Sequence, residues 1–168
     1  KPETLTELLS KINELRNQSN FNKSFLLKIS PDLNDSDIGN IIELSLKYNI
    51  DGLILTNTSE SSRENLLDDK KSEKGGLSGK PIRDLSTNFI KKFYSQLNGK
   101  IPIIGVGGVD SGKVAFEKIK AGANALQLYT GMIYKGPYLI RDIKKELISL
   151  LKKEGFQNIK EAVGSIKN

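Results

Sequence analysis

The stretch Ile101-Pro102-Ile103-Ile104-Gly105-Val106-Gly107-Gly108-Val109-Asp110-Ser111 decides the fold. A short apolar run breaks into glycines and then reaches a serine that favours the start of a helix. Apolar runs of this kind fit a parallel strand buried on both faces, here over Ile101 to Ile104. Ser111 is expected to cap a helix that turns Val114, Ala115 and Ile119 inward. Gly122 punctuates, and Ala125 to Leu128 reads as the next strand, ending at Tyr129-Thr130-Gly131. The last long helix, about 138–153, puts Leu139, Ile140, Ile143, Leu147, Leu150 and Leu151 on one side. Gly155 sits where a helix C-terminus favours glycine.

The same alternation holds upstream. Leu5, Leu8, Leu9, Ile12 and Leu15 recur at helical spacing over 3–16. Phe25 to Ile29 is a short apolar run with Lys28 inside it, and Pro31 ends it. Asn34 to Asp37 supplies helix-starting residues, and Ile38, Ile41, Ile42, Leu44 and Ser45 form the helix face behind them. Asp51-Gly52 turns into a strand over Leu53 to Leu55, closing on Thr56-Asn57-Thr58. The polar stretch from Ser59 to Lys74 lacks periodicity and reads as a mobile surface loop, followed by Gly75-Gly76-Leu77-Ser78-Gly79. Ser86 is expected to cap a helix carrying Phe89, Ile90, Phe93 and Leu97 inward. The order is a helix and then four strand–helix units, which implies α/β architecture with a parallel sheet and outer helices. Four strands cannot close an eight-stranded barrel, which typically needs ~250 residues, so a doubly wound sheet is the alternative.

Composition narrows the chemistry. The 168 residues include no cysteine and no histidine. Disulfides, thiolate or imidazole metal sites, Ser-His or Cys-His nucleophile pairs and a histidine base are thereby excluded. The formal net charge of +6 raises nucleic acid as a partner. The lysines are dispersed over polar helix sides, as at Lys91, Lys92, Lys144 and Lys145, so solvated faces are expected and no nucleic acid. No apolar run is long enough to span a membrane, and no signal peptide is visible.

The unusual residues all fall just after a strand, the edge where parallel α/β folds bind ligands. A lysine inside an apolar strand, such as Lys28, is expected to face an anion or an electron-rich ligand, the plain alternative being solvent or a carboxylate. Thr56, Asn57 and Thr58 could recognise the amide edges of a planar ligand, or be turn chemistry alone. Gly107-Gly108 before the Ser111 helix start fits a phosphate site of backbone N–H groups, with Tyr129-Thr130-Gly131 completing it. No GxGxxG fingerprint or Walker loop is present. The residues alone suggest a planar, phosphate-bearing cofactor with a lysine near its ring: FMN, or another phosphorylated ligand.

Leu27-Lys28-Ile29-Ser30-Pro31-Asp32-Leu33 and Asp51-Gly52-Leu53-Ile54-Leu55-Thr56-Asn57-Thr58 resemble consecutive strands of class 2, quinone-dependent dihydroorotate dehydrogenases. Gly75 to Thr87, Ile101 to Val109, Ala121-Gly122-Ala123, Gln127 to Thr130 and Gly136-Pro137 continue the resemblance in order. It implies that residues 1–168 are the C-terminal half of an FMN-binding (β/α)8 barrel, with four parallel strands and outer helices. The implied reaction oxidises dihydroorotate to orotate in de novo pyrimidine (UMP) biosynthesis and passes electrons to a membrane quinone. By the same resemblance Lys28, Thr56, Gly79, Gly108, Tyr129 and Thr130 bind FMN, and Asn57 and Thr58 bind the substrate. The family's catalytic serine belongs to the N-terminal half, and Ser30, Ser59 and Ser78 do not match its position. The implied partners are dihydroorotate or orotate, a membrane quinone and a complementary N-terminal half-barrel, without which this half is expected to be inactive. The implied location is the bacterial inner membrane or the mitochondrial inner membrane. Two other readings stand beside it: half of another FMN- or sugar-phosphate-binding barrel, and a non-catalytic half-barrel that needs a partner chain.

Overall fold

Four short segments rich in leucine and isoleucine pair side by side: β1 (Leu26–Ile29), β2 (Gly52–Leu55), β3 (Ile103–Val106) and β4 (Ala125–Gln127). They form one parallel sheet in the order β1-β2-β3-β4. Between and around them run α1 (Pro2–Gln18), α2 (Asp35–Lys47), α3 (Arg83–Leu97), α4 (Gly112–Lys120), α5 (Thr130–Lys135), α6 (Leu139–Lys153) and α7 (Ile159–Ala162). The structure, a computed structural model, describes residues 2–19, 23–61 and 63–166.

Each strand advances to the next neighbour in one direction. A doubly wound sheet reverses direction at a switch point, and this one does not. The arrangement is a four-unit section of a (β/α)8 barrel.

Strand alternation divides the sheet into two unlike faces. Ile29, Leu53, Leu55 and Ile103 point to the helices and share a core with Ile38, Ile41, Ile42, Phe89, Ile90, Phe93 and Leu97. Full burial of one such side chain stabilises by roughly 1.5–3 kcal/mol. On the other face Lys28, Ile54, Ile104 and Ala125 stand in one row across the four strands. Lys28 and Ala125 are exposed there, and Ile54 and Ile104 are half-buried.

Several boundaries differ from the sequence reading. Strand β3 begins at Ile103 and runs to Val106, because Pro102 has no N–H to give a ladder and serves only through its carbonyl, which accepts from Leu53 N at 2.9 Å. Helix α3 begins at Arg83, so Ser86 is not its cap but lies buried in its first turns. Asn34 and Ser111 do cap their helices, accepting from Asp37 N at 2.9 Å and Val114 N at 3.3 Å. Most described residues between Glu60 and Lys74 are exposed, yet Ser59 is buried, and it exchanges backbone hydrogen bonds of 3.0 and 2.7 Å with Leu77 across the neck of the stretch. A 3-10 turn over Asp69–Ser72 lies inside it, and Ser62 falls outside the described residues. Helices α5 and α7 carry no periodic apolar stripe long enough to read. Among the described residues no helix is long and apolar enough to cross a membrane.

Candidate ligand site at the strand ends

The carboxyl ends of β1 to β4 surround a hollow of about 280 Å³. Lys28, Thr56, Asn57, Thr58, Gly79, Gly108, Tyr129 and Thr130 all line it. The eight residues singled out from the sequence are therefore brought together from five segments of the chain.

Backbone bonds between strand ends fix the floor. Thr56 N donates to the Val106 carbonyl at 3.0 Å, and Thr56 Oγ1 reaches the same oxygen at 3.5 Å. Asn57 N donates to the Ile29 carbonyl at 2.7 Å. The Leu55–Thr56 peptide bond is cis. Thr56 is buried, whereas the side chains of Asn57 and Thr58 are exposed. Lys28 is exposed as well, because among the described residues its face of the sheet carries no helix.

The opposite end is built from glycines in the left-handed region. Gly108 has φ +69°, and a Cβ there would fall 2.7 Å from Arg83 Cβ and 2.9 Å from the Gly79 carbonyl. Gly79 has φ +76°, and a Cβ there would fall 2.8 Å from Thr130 Cγ2. Only glycine lets these three turns meet. Ser78 Oγ and Thr130 Oγ1 pair at 3.0 Å. Behind the turn Arg83 bonds Asp110 at 2.7 Å and, through Nε, the Gly108 carbonyl at 3.4 Å. Among the described residues, the N–H groups of Gly107, Gly108 and Thr130 donate none of the backbone hydrogen bonds of turns and loops.

One expectation is corrected here. The start of α4 does not contribute to the hollow, since Gly112 N donates to the Glu146 carboxylate of α6 at 2.6 Å. The Glu146 carboxylate takes the Gly112 N–H and the Ser111 hydroxyl takes that of Val114, at the helix start the sequence offered beside Gly107-Gly108. The turn over Tyr129 and Thr130 stands beside Gly108 instead.

The serines near the hollow are engaged. Ser59 is fully buried and donates to Asp32 Oδ1 at 2.6 Å, while Asp32 Oδ2 accepts from Glu60 N at 2.6 Å. Ser30 Oγ accepts from Asp32 N at 3.3 Å.

The sequence reading missed Lys118. It is fully buried, and Nζ donates to Ser86 Oγ and Thr87 Oγ1, each at 2.9 Å, and to the Arg83 carbonyl at 3.2 Å. Burial lowers its pKa to about 8, helped by the Arg83 charge and opposed by Asp84 and Glu117. The signal was present: Lys118 stands four residues after Val114 and three after Ala115, on the inward stripe of α4.

The profile of the dihydroorotate dehydrogenase family matches residues 1–151. The chain belongs to the dihydroorotate dehydrogenase family. It is 46% identical over 162 residues to the mitochondrial dihydroorotate dehydrogenase (quinone) of Mus musculus, covering 95% of this chain and 41% of that protein. It is 45% identical over 139 residues to the dihydroorotate dehydrogenase (quinone) of Natronomonas pharaonis, covering 83% of this chain and 39% of that one. A crystal structure of ligand-free dihydroorotate dehydrogenase from Eimeria tenella superposes with a TM-score of 0.81 at 41% identity, over 83% of this chain and 39% of that chain. The chain thus spans about two-fifths of the length of these relatives. Family membership implies a flavin cofactor in general terms.

Proposed function

We propose that this chain is the C-terminal half of the FMN-binding (β/α)8 barrel of a quinone-dependent dihydroorotate dehydrogenase. The reaction is oxidation of dihydroorotate to orotate in de novo pyrimidine biosynthesis. One observation carries the reading: four strand ends converge on one hollow whose Gly107, Gly108 and Thr130 N–H groups lack turn or loop partners, with a lysine at the far side.

The residues present fit the cofactor. Backbone N–H groups at Gly108 and Thr130 suit a phosphate, and the close-packed glycine turns leave no Cβ in its way. Thr56 and Lys28 suit the polar edge of a planar ring, Thr56 through its hydroxyl and Lys28 through its Nζ donors. Tyr129 offers a ring and a hydroxyl at the rim, and Gly79 keeps that wall low. Asn57 and Thr58, exposed beside Lys28, suit the carboxylate and ring amides of the substrate. When bound, the flavin would accept hydride from the substrate and release electrons to a quinone. Ser30, Ser59 and Ser78 do not match the position of the family's catalytic serine, so none of them is assigned that role. The base and the remaining flavin contacts would come from the complementary half-barrel. That half would close the barrel by pairing with the edge strands β1 and β4, so that the open face bearing Lys28, Ile54, Ile104 and Ala125 becomes the barrel interior. The quinone places the enzyme at a membrane, the bacterial inner membrane or the mitochondrial inner membrane.

Anaerobic addition of dihydroorotate to the flavin-loaded protein, with both halves of the barrel present, tests the reading. Bleaching of the yellow absorbance and release of orotate are expected. A flavin that stays oxidised, or a holoprotein that takes up no FMN, would overturn it.

A further inference from the structure

Lys118 has no exposed surface, and its three Nζ protons match three acceptors: Ser86 Oγ, Thr87 Oγ1 and the Arg83 carbonyl. All three acceptors belong to the first turns of α3. Those turns are also the backing of the glycine turn. A Cβ on Gly107 would fall 2.9 Å from Ser86 Cβ, and one on Gly108 would fall 2.7 Å from Arg83 Cβ. The Ser86 hydroxyl, which receives from Lys118, donates onward to the Val106 carbonyl. That oxygen also takes Thr56 N. One buried cation therefore ties α4 to α3, to the end of β3 and to the floor of the hollow. An ammonium without water is costly to keep, and an apolar side chain would pack two helices as well. Packing alone is a poor reason for it.

We infer that Lys118 is a positioning residue: by clamping the first turns of α3 it fixes the Gly107–Gly108 turn, so that the N–H groups there can hold the phosphate of a flavin nucleotide. The inference rests on the reading that the hollow takes a flavin. It adds a residue that is outside the hollow and governs its phosphate end.

The test compares FMN with riboflavin, which lacks the phosphate. Flavin-stripped holoprotein is titrated with each, following flavin fluorescence. The unmodified protein should prefer FMN. Lys118→Met should reduce that preference about tenfold or more, equivalent to ~1.4 kcal/mol, with riboflavin binding little changed. Ser86→Ala leaves Lys118 two acceptors and should shift the preference the same way, which covers a Lys118→Met protein that does not fold. In the unmodified protein the preference should decline as pH rises through about 8, where Lys118 sheds its proton, a loss favoured by the Arg83 charge and opposed by Asp84 and Glu117. In Lys118→Met that decline should vanish. A preference unchanged in either folded variant overturns the inference and leaves the flavin reading intact. Failure of the unmodified protein to bind either flavin overturns both.

Discussion

At the β3–β4 end of the hollow, Gly108 is hemmed in by Arg83 and the Gly79 carbonyl, and Arg83 is held by Asp110. At the β1–β2 end, Lys28, Asn57 and Thr58 stand exposed, with no side-chain partner among the hydrogen bonds described around them. The first end has little freedom to rearrange, because every shift would break a bond or a contact. The second end presents polar groups whose partners must come from a ligand or from another part of the barrel. Rigid turns suit a phosphate that stays bound. Open polar groups suit a substrate that enters and leaves.

Substitutions on the two sides should separate that contrast. The largest stability loss is expected from Gly108→Ala, about 3 kcal/mol or more, since the residue would be forced to φ +69° and its Cβ would strike backbone atoms. A lowered midpoint in urea and loss of retained flavin would be the readouts. Arg83→Met should cost about 1–3 kcal/mol by leaving Asp110 and the Gly108 carbonyl unpaired, again read in urea.

Lys118 makes a prediction in pH. Its folded pKa, about 8, lies below its ordinary 10.5. Between those values the unfolded chain holds a proton that the folded chain has lost, so this residue's contribution to stability rises with pH across that window. Below pH 8 the cost of burying the charge is present in full. Stability measured from pH 8 to 10.5 should therefore climb more steeply in the unmodified protein than in Lys118→Met. Equal slopes would place the Lys118 charge outside the folding balance.

The smallest stability effects belong to the exposed end. Lys28→Met and Asn57→Ala should each stay within about 0.5 kcal/mol of the unmodified protein. Asn57→Ala should nonetheless weaken dihydroorotate in flavin-reduction assays about 10- to 100-fold, the worth of a hydrogen bond to a charged group. A large drop in stability for either would erase the contrast between the two ends.

The four strands and the residues that converge at their ends were legible because each strand is a short, mostly apolar run broken by a polar, glycine or proline segment: Ser30-Pro31, Thr56-Asn57, Gly107-Gly108 and Tyr129-Thr130. That local pattern survives folding. The start of α3 was not legible, since Ser86 has the chemistry of a cap and only tertiary packing shows it bonded to Val106 and Lys118. The use of the α4 N-terminus was hidden for a similar reason. Glu146 lies 34 residues away, and nothing local announces that its carboxylate reaches Gly112 N. Whether Lys28 faces solvent or a packed neighbour was left open, because a four-residue strand does not reveal whether both sheet faces are covered.

A crystal structure of the FMN-loaded holoprotein tests the central claim most directly. The phosphate should lie about 3 Å from the N–H groups of Gly108 and Thr130, with the ring reaching toward Thr56 and Lys28. A flavin bound elsewhere, or a phosphate held away from those N–H groups, would contradict the account.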